Sequence, residues 1–292
     1  MLLNGSQRVA VMSLTGWVPR LIHAQGPVRS AGVRHTCPPE CVACDPSAVH
    51  PTLALTGERT LPGIPTENYW FRRHEAAYDA VVPFCAGAVV LEAGCGEGYG
   101  ADRIAADARA VVGIDYDAAA VGHVAAAYPR VAAVRGNLAC LPVRGGVVDV
   151  VATLQVIEHL WDQPGFLAEC RRVLRPAGTL LVTTPNRLTF SPPNRPLNPF
   201  HHRELDPDEL LGLLDQAGFE VTRLLGLRHG PRLRRLDRLF GSVVDAQLAG
   251  PPATWHRELH RAVAGVRTSD FVLAADNLDT CLDLLAVAVR RA

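Results

Sequence analysis

From Ala88 to Asn186 the chain alternates short apolar runs with segments of helical spacing. AVVLEAG, AVVGIDYD, VAAVRGN, VVDVVATLQ and GTLLVTTPN are brief and rich in β-branched residues, the mark of buried strands. YGADRIAADA, the alanine-rich AAAVGHVAAAY and EHLWDQPGFLAECRRVL carry helix-favouring residues. Strands alternating with helices predict βαβ units, and so an α/β fold with a Rossmann-like, doubly wound, mostly parallel sheet.

The flanks complete this pattern. Residues 67–84 read as a helix, aromatic on one side and charged on the other, placed to act as a lid. After the fifth strand, PDELLGLLDQAGF reads as a helix closed by Gly218, FEVTRLLGL as a strand and LDLLAVAVRR as the last strand. An insertion at about 228–275, containing the basic amphipathic RLRRLDRLF, separates these two strands, which are expected to pair as an antiparallel edge. Residues 1–55 are rich in Gly, Pro, Ser and Arg without periodicity and read as a poorly ordered extension; residues 56–292 form the domain.

Composition narrows the function classes. With 48% apolar residues the chain can bury a sizeable core, and 29 acidic against 29 basic residues give no general reason to expect nucleic acid or an anionic membrane as partner. All the cations are arginine, so lysine chemistry such as a Schiff base is excluded. No run approaches the roughly 20 apolar residues of a membrane span, and the chain reads as soluble and cytoplasmic. Cys85, Cys95, Cys140, Cys170 and Cys281 fall in apolar segments, a usage that suits a reducing compartment.

The candidate chemistry starts at Glu92-Ala-Gly94-Cys95-Gly96-Glu97-Gly98. A glycine-rich turn after a first strand lets a ligand approach the backbone, and Gly96 to Ala101 even satisfies the loose G-x-G-x-x-A dinucleotide pattern. A pyrophosphate at the following helix N-terminus would be opposed by Glu97, with Glu92 adding a second carboxylate. S-adenosylmethionine (SAM) has no phosphate and carries an ammonium and a sulfonium, so it suits an acidic loop better than NAD does. Asp115, ending the second strand, is placed to accept from both ribose hydroxyls, while Asp117 fits a helix N-cap. Tyr116 is placed to cover the adenine face and Asn137 to meet its edge, with Leu138 beneath; Asn137 is otherwise an ordinary turn residue.

LEAGCGEG, GIDYD, GNLACLP, DVVATLQVIEHLWD and RVLRPAGTLLVTTPN resemble, in order and spacing, the successive motifs of small-molecule class I SAM-dependent methyltransferases. The resemblance covers about 88–190 strongly and the rest more weakly. It implies a seven-stranded sheet with a helical insertion before the last strand. It also implies that Glu92 and the loop Gly94, Cys95, Gly96 and Gly98 hold the methionine part, Asp115 the ribose and Asn137 the adenine, where the family usually has Asp.

Gln155-Val-Ile-Glu158-His159 follows the fourth strand, where this fold places the reacting methyl group. The spacing resembles an E-x-x-E-H metal site of certain ubiquinone-pathway and small-RNA O-methyltransferases. A Mg²⁺ held by Glu158, His159 and His201 is one alternative, weakened because Gln155 replaces the first carboxylate. The loop 186–204, rich in Pro and Asn, lies at the C-terminal end of the fifth strand, where such sheets form their ligand crevice. Its Asn-Pro-Phe-His201 resembles an element of methyltransferases acting on sugars and polysaccharides. His201 is the candidate general base and His159 the alternative. Tyr69, Trp70, Arg73 and His74 of the lid would meet the acceptor, their aromatics stacking on a sugar ring or simply anchoring the helix. TGERTLPGIPTENYWFRRHE, SPPNRPLNPFHHREL and GLRHGPRL resemble actinobacterial methyltransferases associated with O-methylation of glucose units in methylglucose lipopolysaccharide.

The expected reaction is thus methyl transfer from SAM to a hydroxyl of a sugar or oligosaccharide. N- or C-methylation of a lipid or quinone, an NAD-dependent oxidoreductase and a catalytically silent SAM-binding protein are the alternatives. Cys37-x-x-x-Cys41-x-x-Cys44 has the spacing of a radical-SAM cluster, yet no barrel pattern follows it. Zinc with His35 or His50 is a further geometry, and chance within the extension is the plain one.

Overall fold

The computed structural model describes residues 59–193, 195 and 197–292, with residue 53 besides. The cysteine cluster Cys37, Cys41 and Cys44, with His35 and His50, and the extension 1–55 apart from residue 53 lie outside the described residues.

Strands β1 (Val89–Ala93), β2 (Ala110–Asp115), β3 (Val131–Arg135), β4 (Val148–Leu154) and β5 (Leu174–Pro185) form a parallel sheet in the order β3-β2-β1-β4-β5. β1 is buried along its whole length, as its continuous apolar run requires of a strand covered on both faces. The helices between them are α2 (Tyr99–Ile104), α3 (Ala118–Ala127) and α4 (Gln163–Val173), preceded by α1 (Asn68–Cys85). Asp117 caps α3 by accepting from the Ala119 N–H (2.9 Å), and Asp162 caps α4 by accepting from Gly165 (2.8 Å). The two crossovers leave β1 in opposite directions, so the C-terminal ends of β1 and β4 meet at the switch point where open α/β sheets form their ligand crevice.

The far edge is antiparallel. The last strand β8 (Asp283–Arg290) inserts between β5 and β6 (Phe219–His229), pairing antiparallel with both; its pairing with β6 is the one expected of the two terminal runs. The sheet has eight strands rather than the expected seven. The eighth, β7 (Phe271–Ala274), lies inside the segment expected as an insertion and pairs with the end of β6, from Gly226↔Ala274 to His229↔Phe271. β6 runs on to His229 and so exposes an edge that the short apolar FVLA fills. Before β7 come helices α5 (Arg187–Phe190), α6 (Pro207–Gln216), α7 (Pro231–Phe240), α8 (Val243–Leu248) and α9 (Arg257–Ala264). Leu233, Val243, Leu259 and Val263 of the last three pack with Tyr69, Leu227 and Phe271 in a core of their own.

That third core fixes α1 over the crevice. A second tie is ionic: the buried Arg73 guanidinium donates twice to Asp283 at the start of β8, both at 2.6 Å, and once to the Leu282 carbonyl (3.0 Å).

Candidate active site

The glycine loop takes its shape from positions that no side chain could share. Gly94 (φ +83°) and Gly98 (φ +100°) are left-handed, and a Cβ at either would lie 2.6 Å from a valine methyl, of Val156 and Val124 respectively. Gly96 (φ +53°) differs: nothing stands within 4 Å of where its Cβ would be, so the loop is open there. The Gly94 and Cys95 N–H groups donate to the Ile114 carbonyl, tying the loop to β2. The Cys95 side chain points into the core against Gly113, so only its backbone can serve a ligand.

Glu92 lies fully buried at the end of β1. Tyr78 of α1 donates to its Oε1 (2.6 Å), and its Oε2 has no hydrogen-bond partner among the described residues. Burial pushes this carboxyl up to about 8; the Tyr78 hydroxyl opposes the shift and the charge of Asp115 adds to it. An orphaned acidic oxygen beside an open glycine cradle fits a ligand that brings a cation, as the methionine ammonium of SAM does. Asp115 accepts from the Gly96 N–H (2.8 Å) and the Asp117 N–H (2.9 Å), so it joins the loop to the end of β2.

Glu97 turns away from the crevice. Its carboxylate accepts from the Tyr99 N–H (3.0 Å) and the Tyr128 hydroxyl (2.8 and 2.9 Å), and lies 2.9 Å from His123 Nε2. The helix N-terminus where a dinucleotide would seat its pyrophosphate is therefore filled by the chain's own carboxylate. Tyr116 stands 70% exposed with the Arg135 guanidinium 5.7 Å from its ring centroid. Asn137 is exposed, and its Oδ1 already accepts from the Ala139 N–H (2.9 Å), the turn geometry set out as its plainer role. Leu138 packs in the core below.

The lid helix divides its four candidates. Tyr69, expected to stack on a substrate ring, is completely buried, with its hydroxyl 2.7 Å from His229 Nε2 and its ring against Phe271. Arg73 is held by Asp283, with its guanidinium also over the rings of Trp70 and Phe190. Tyr69 is thus an anchor for α1, while Arg73 both anchors it and lines the cavity below. Trp70 and His74 line the same cavity; burial drives the His74 ring down to about 4, so it is neutral there.

That cavity, of about 220 Å³, is also lined by Gln155, Glu158, His159 and His201. Gln155 leaves β4 in a left-handed conformation (φ +56°), rare for a side-chain-bearing residue and common at functional turns. Two hydrogen bonds set the imidazoles. His159 Nδ1 lies 2.9 Å from the Phe200 carbonyl, which can only accept, so the proton sits on Nδ1. His201 Nδ1 lies 2.6 Å from Glu204 Oε1, which places the lone pair of the neutral ring on Nε2, without a partner among the described residues. The rings of His159 and His201 meet edge to face at 4.8 Å, and Phe190 stacks on His201. Glu204 is buried and also accepts from Ser191. It escaped the sequence reading, although its place three residues after His201 is the spacing of a carboxylate that orients an imidazole.

Donor atoms of Glu158, His159 and His201 lie within 4.8 Å of one another. The set does not fit Mg²⁺, which takes oxygen ligands: two of the three donors are imidazoles. The third, the buried Glu158 carboxyl, is the one oxygen donor of the set, and it accepts a hydrogen bond from Thr184 (3.1 Å). The Glu158 carbonyl instead anchors the loop, accepting from the N–H groups of His202 (2.8 Å) and Arg203 (3.2 Å).

Residues 91–182 match the family model described as a methyltransferase domain. A Mycolicibacterium smegmatis protein named "Probable S-adenosylmethionine-dependent methyltransferase" is 57% identical over 254 residues, covering 84% of this chain and 99% of the relative. A Mycobacterium tuberculosis protein of the same description is 53% identical over 263 residues, covering 87% and 94%. More distantly, a ubiquinone biosynthesis O-methyltransferase of Rhizobium johnstonii is 27% identical over 159 residues, 49% of this chain and 64% of that one. A solved SAM-dependent methyltransferase of Thermotoga maritima shares the fold with a TM-score of 0.53 at 16% identity, covering 77% of this chain and 94% of that one. With a glycine cradle, an orphaned buried carboxylate at its edge and such identity over nearly the full length of its relatives, this chain belongs to the class I SAM-dependent methyltransferases, and it is an enzyme of that activity.

Proposed function

We propose that the enzyme methylates a hydroxyl of a sugar or oligosaccharide, with His201 as general base. The observation that carries this reading is the His201–Glu204 pair on the wall of the cavity after β5. Glu92, the loop Gly94 to Gly98, Asp115 and Asn137 would hold the cofactor, with Leu138 beneath it. The bound cofactor supplies an electrophilic methyl group on a sulfonium, whose C–S electron pair leaves with the sulfur. His201 Nε2 takes the hydroxyl proton as the oxygen attacks, and Glu204 stabilises the imidazolium through Nδ1–H. At neutral pH the Glu158 carboxyl is protonated, so it does not compete for that proton. Trp70, His74 and Phe190 wall the cavity with flat rings. His159, its proton fixed on Nδ1 by Phe200, is the alternative base.

Oxygen as the target is supported by the name of the Rhizobium johnstonii relative, an O-methyltransferase. A sugar is supported by the resemblance of Asn198-Pro-Phe-His201 to sugar methyltransferases and by the ring-lined cavity. The test is transfer of labelled methyl from SAM to a panel of glucose oligosaccharides, quinols and lipids, with and without Mg²⁺. Transfer to the sugars that is indifferent to Mg²⁺ is expected. Transfer confined to quinols or lipids would overturn the sugar reading.

A further inference from the structure

At about 220 Å³ the acceptor cavity lies below the ~300–1,000 Å³ of pockets that enclose drug-sized ligands. It admits one ring of a sugar chain, and any further ring must lie across its rim. Leu248 of its lining and, within two residues in sequence of other lining residues, Trp161, Leu197 and Phe200 are large apolar side chains left exposed. Leu248 and Asn198 line the cavity itself, and Phe200 and Trp161 stand next to His201 and two residues from His159.

Trp161 is the most exposed of them, at 86%. Its indole is nevertheless held in place. The ring centroid lies 3.8 Å from that of His202 with the planes inclined by 31°. The backbone of His202 is fixed by its N–H to the Glu158 carbonyl, and the next residue after Trp161, Asp162, is fixed as the cap of α4. One face of the indole is therefore supported by an imidazole while the rest of the ring faces water. A large, ordered aromatic face left in water gains most from a partner that is flat and apolar on one side and hydroxylated at its edge. A pyranose ring is such a partner: its axial C–H groups pack on the indole while its hydroxyls stay hydrated.

We infer that Trp161 and His202 form an aromatic platform receiving the sugar ring adjacent to the one methylated. This inference rests on the sugar reading of the cavity and adds chain-length specificity to it: acceptors of two or more rings bind through the platform, and single sugars do not reach it. Trp161 touches the acceptor without touching the reacting atoms, so it governs acceptor affinity and leaves the chemical step alone.

The experiment is a series of glucose oligosaccharides from one to six rings, with turnover of the full chain measured for the wild type, Trp161→Ala and Trp161→Phe. In the wild type KM falls once a second ring is present. Trp161→Ala raises KM for the longer acceptors about five- to tenfold, leaves kcat and SAM affinity unchanged, and removes the advantage of length. Trp161→Phe restores part of it. Calorimetric binding of the six-ring oligosaccharide follows the same order without requiring turnover. Methylation of the series with an unchanged KM ladder in Trp161→Ala overturns the platform alone. A wild type that neither methylates nor binds any member overturns the sugar reading and the platform together. A change of oligomeric state in Trp161→Ala, with acceptor binding unaltered, assigns the indole to a contact between copies and also overturns the platform.

Discussion

The proposed cofactor side and the proposed acceptor side of the crevice are built by different means. The first is mostly backbone and local: Gly94, Gly96 and Gly98 lie within five residues of one another, and Asp115 holds Gly96 from the adjacent strand. The second is made of side chains brought from distant segments. His159 and His201 come from the segments that follow β4 and β5, and the helix above them is tied down by Arg73 to Asp283, 210 residues away. On the proposed reading cofactor affinity and acceptor chemistry are separable, and substitutions can be chosen to break one and spare the other.

Arg73→Ala strikes the acceptor side hardest. It leaves Asp283 buried without its partner, since both side chains are only 3% exposed, and should destabilise the fold by about 3–5 kcal/mol. Denaturant unfolding measures this; a loss below about 1 kcal/mol would show that α1 does not depend on the pair. Gly94→Ala strikes the cofactor side, where a left-handed φ and a 2.6 Å clash with Val156 distort the cradle. SAM affinity should fall by about a hundredfold, a loss of ~2–3 kcal/mol, while the His201–Glu204 pair is untouched.

The two sides should also differ in pH dependence. With no cation beside it, burial holds the Glu92 carboxyl protonated below about 8. Binding an ammonium expels that proton, so SAM affinity rises as pH increases towards about 8, by up to about tenfold per pH unit, and falls again at higher pH as the ligand's own α-ammonium, with an ordinary pKa of about 8, loses its proton. Below the free-enzyme pKa the carboxyl is neutral and the attraction is lost. Calorimetry in buffers of different ionisation enthalpy would register the released proton, and Glu92→Gln should abolish the slope; a wild-type affinity independent of pH would mean that Glu92 does not meet the ammonium. Asn137→Ala is the mildest test, with SAM affinity expected to weaken about two- to tenfold for one lost hydrogen bond.

The local half was also the legible half. Positive-φ glycines, the Asp117 cap and the succession of strands follow from short-range rules, and each lies where the sequence pattern put it. Less legible were side chains whose meaning depends on a remote partner. Tyr69 and Arg73 carry the same aromatic and cationic signature as Trp70 and His74, and only His229, Phe271 and Asp283 show that Tyr69 takes the anchoring role while Arg73 anchors the helix and lines the cavity as well. For Glu97 the sequence suggests a place facing the crevice, because its partners His123, on α3, and Tyr128, at that helix's end, lie 26 and 31 residues away. The eighth strand was hidden because FVLA has only four residues and no alternation of its own; it is a strand because β6 offers an edge.

The division of labour, with His201 in the chemical step and outside cofactor binding, is tested most directly by His201→Ala, with SAM affinity and turnover measured on the same preparation. Loss of about a hundredfold or more in kcat, with SAM affinity within about twofold of the wild type, is the predicted result. Undiminished turnover, or a fall in turnover matched by an equal loss of SAM affinity, would contradict it.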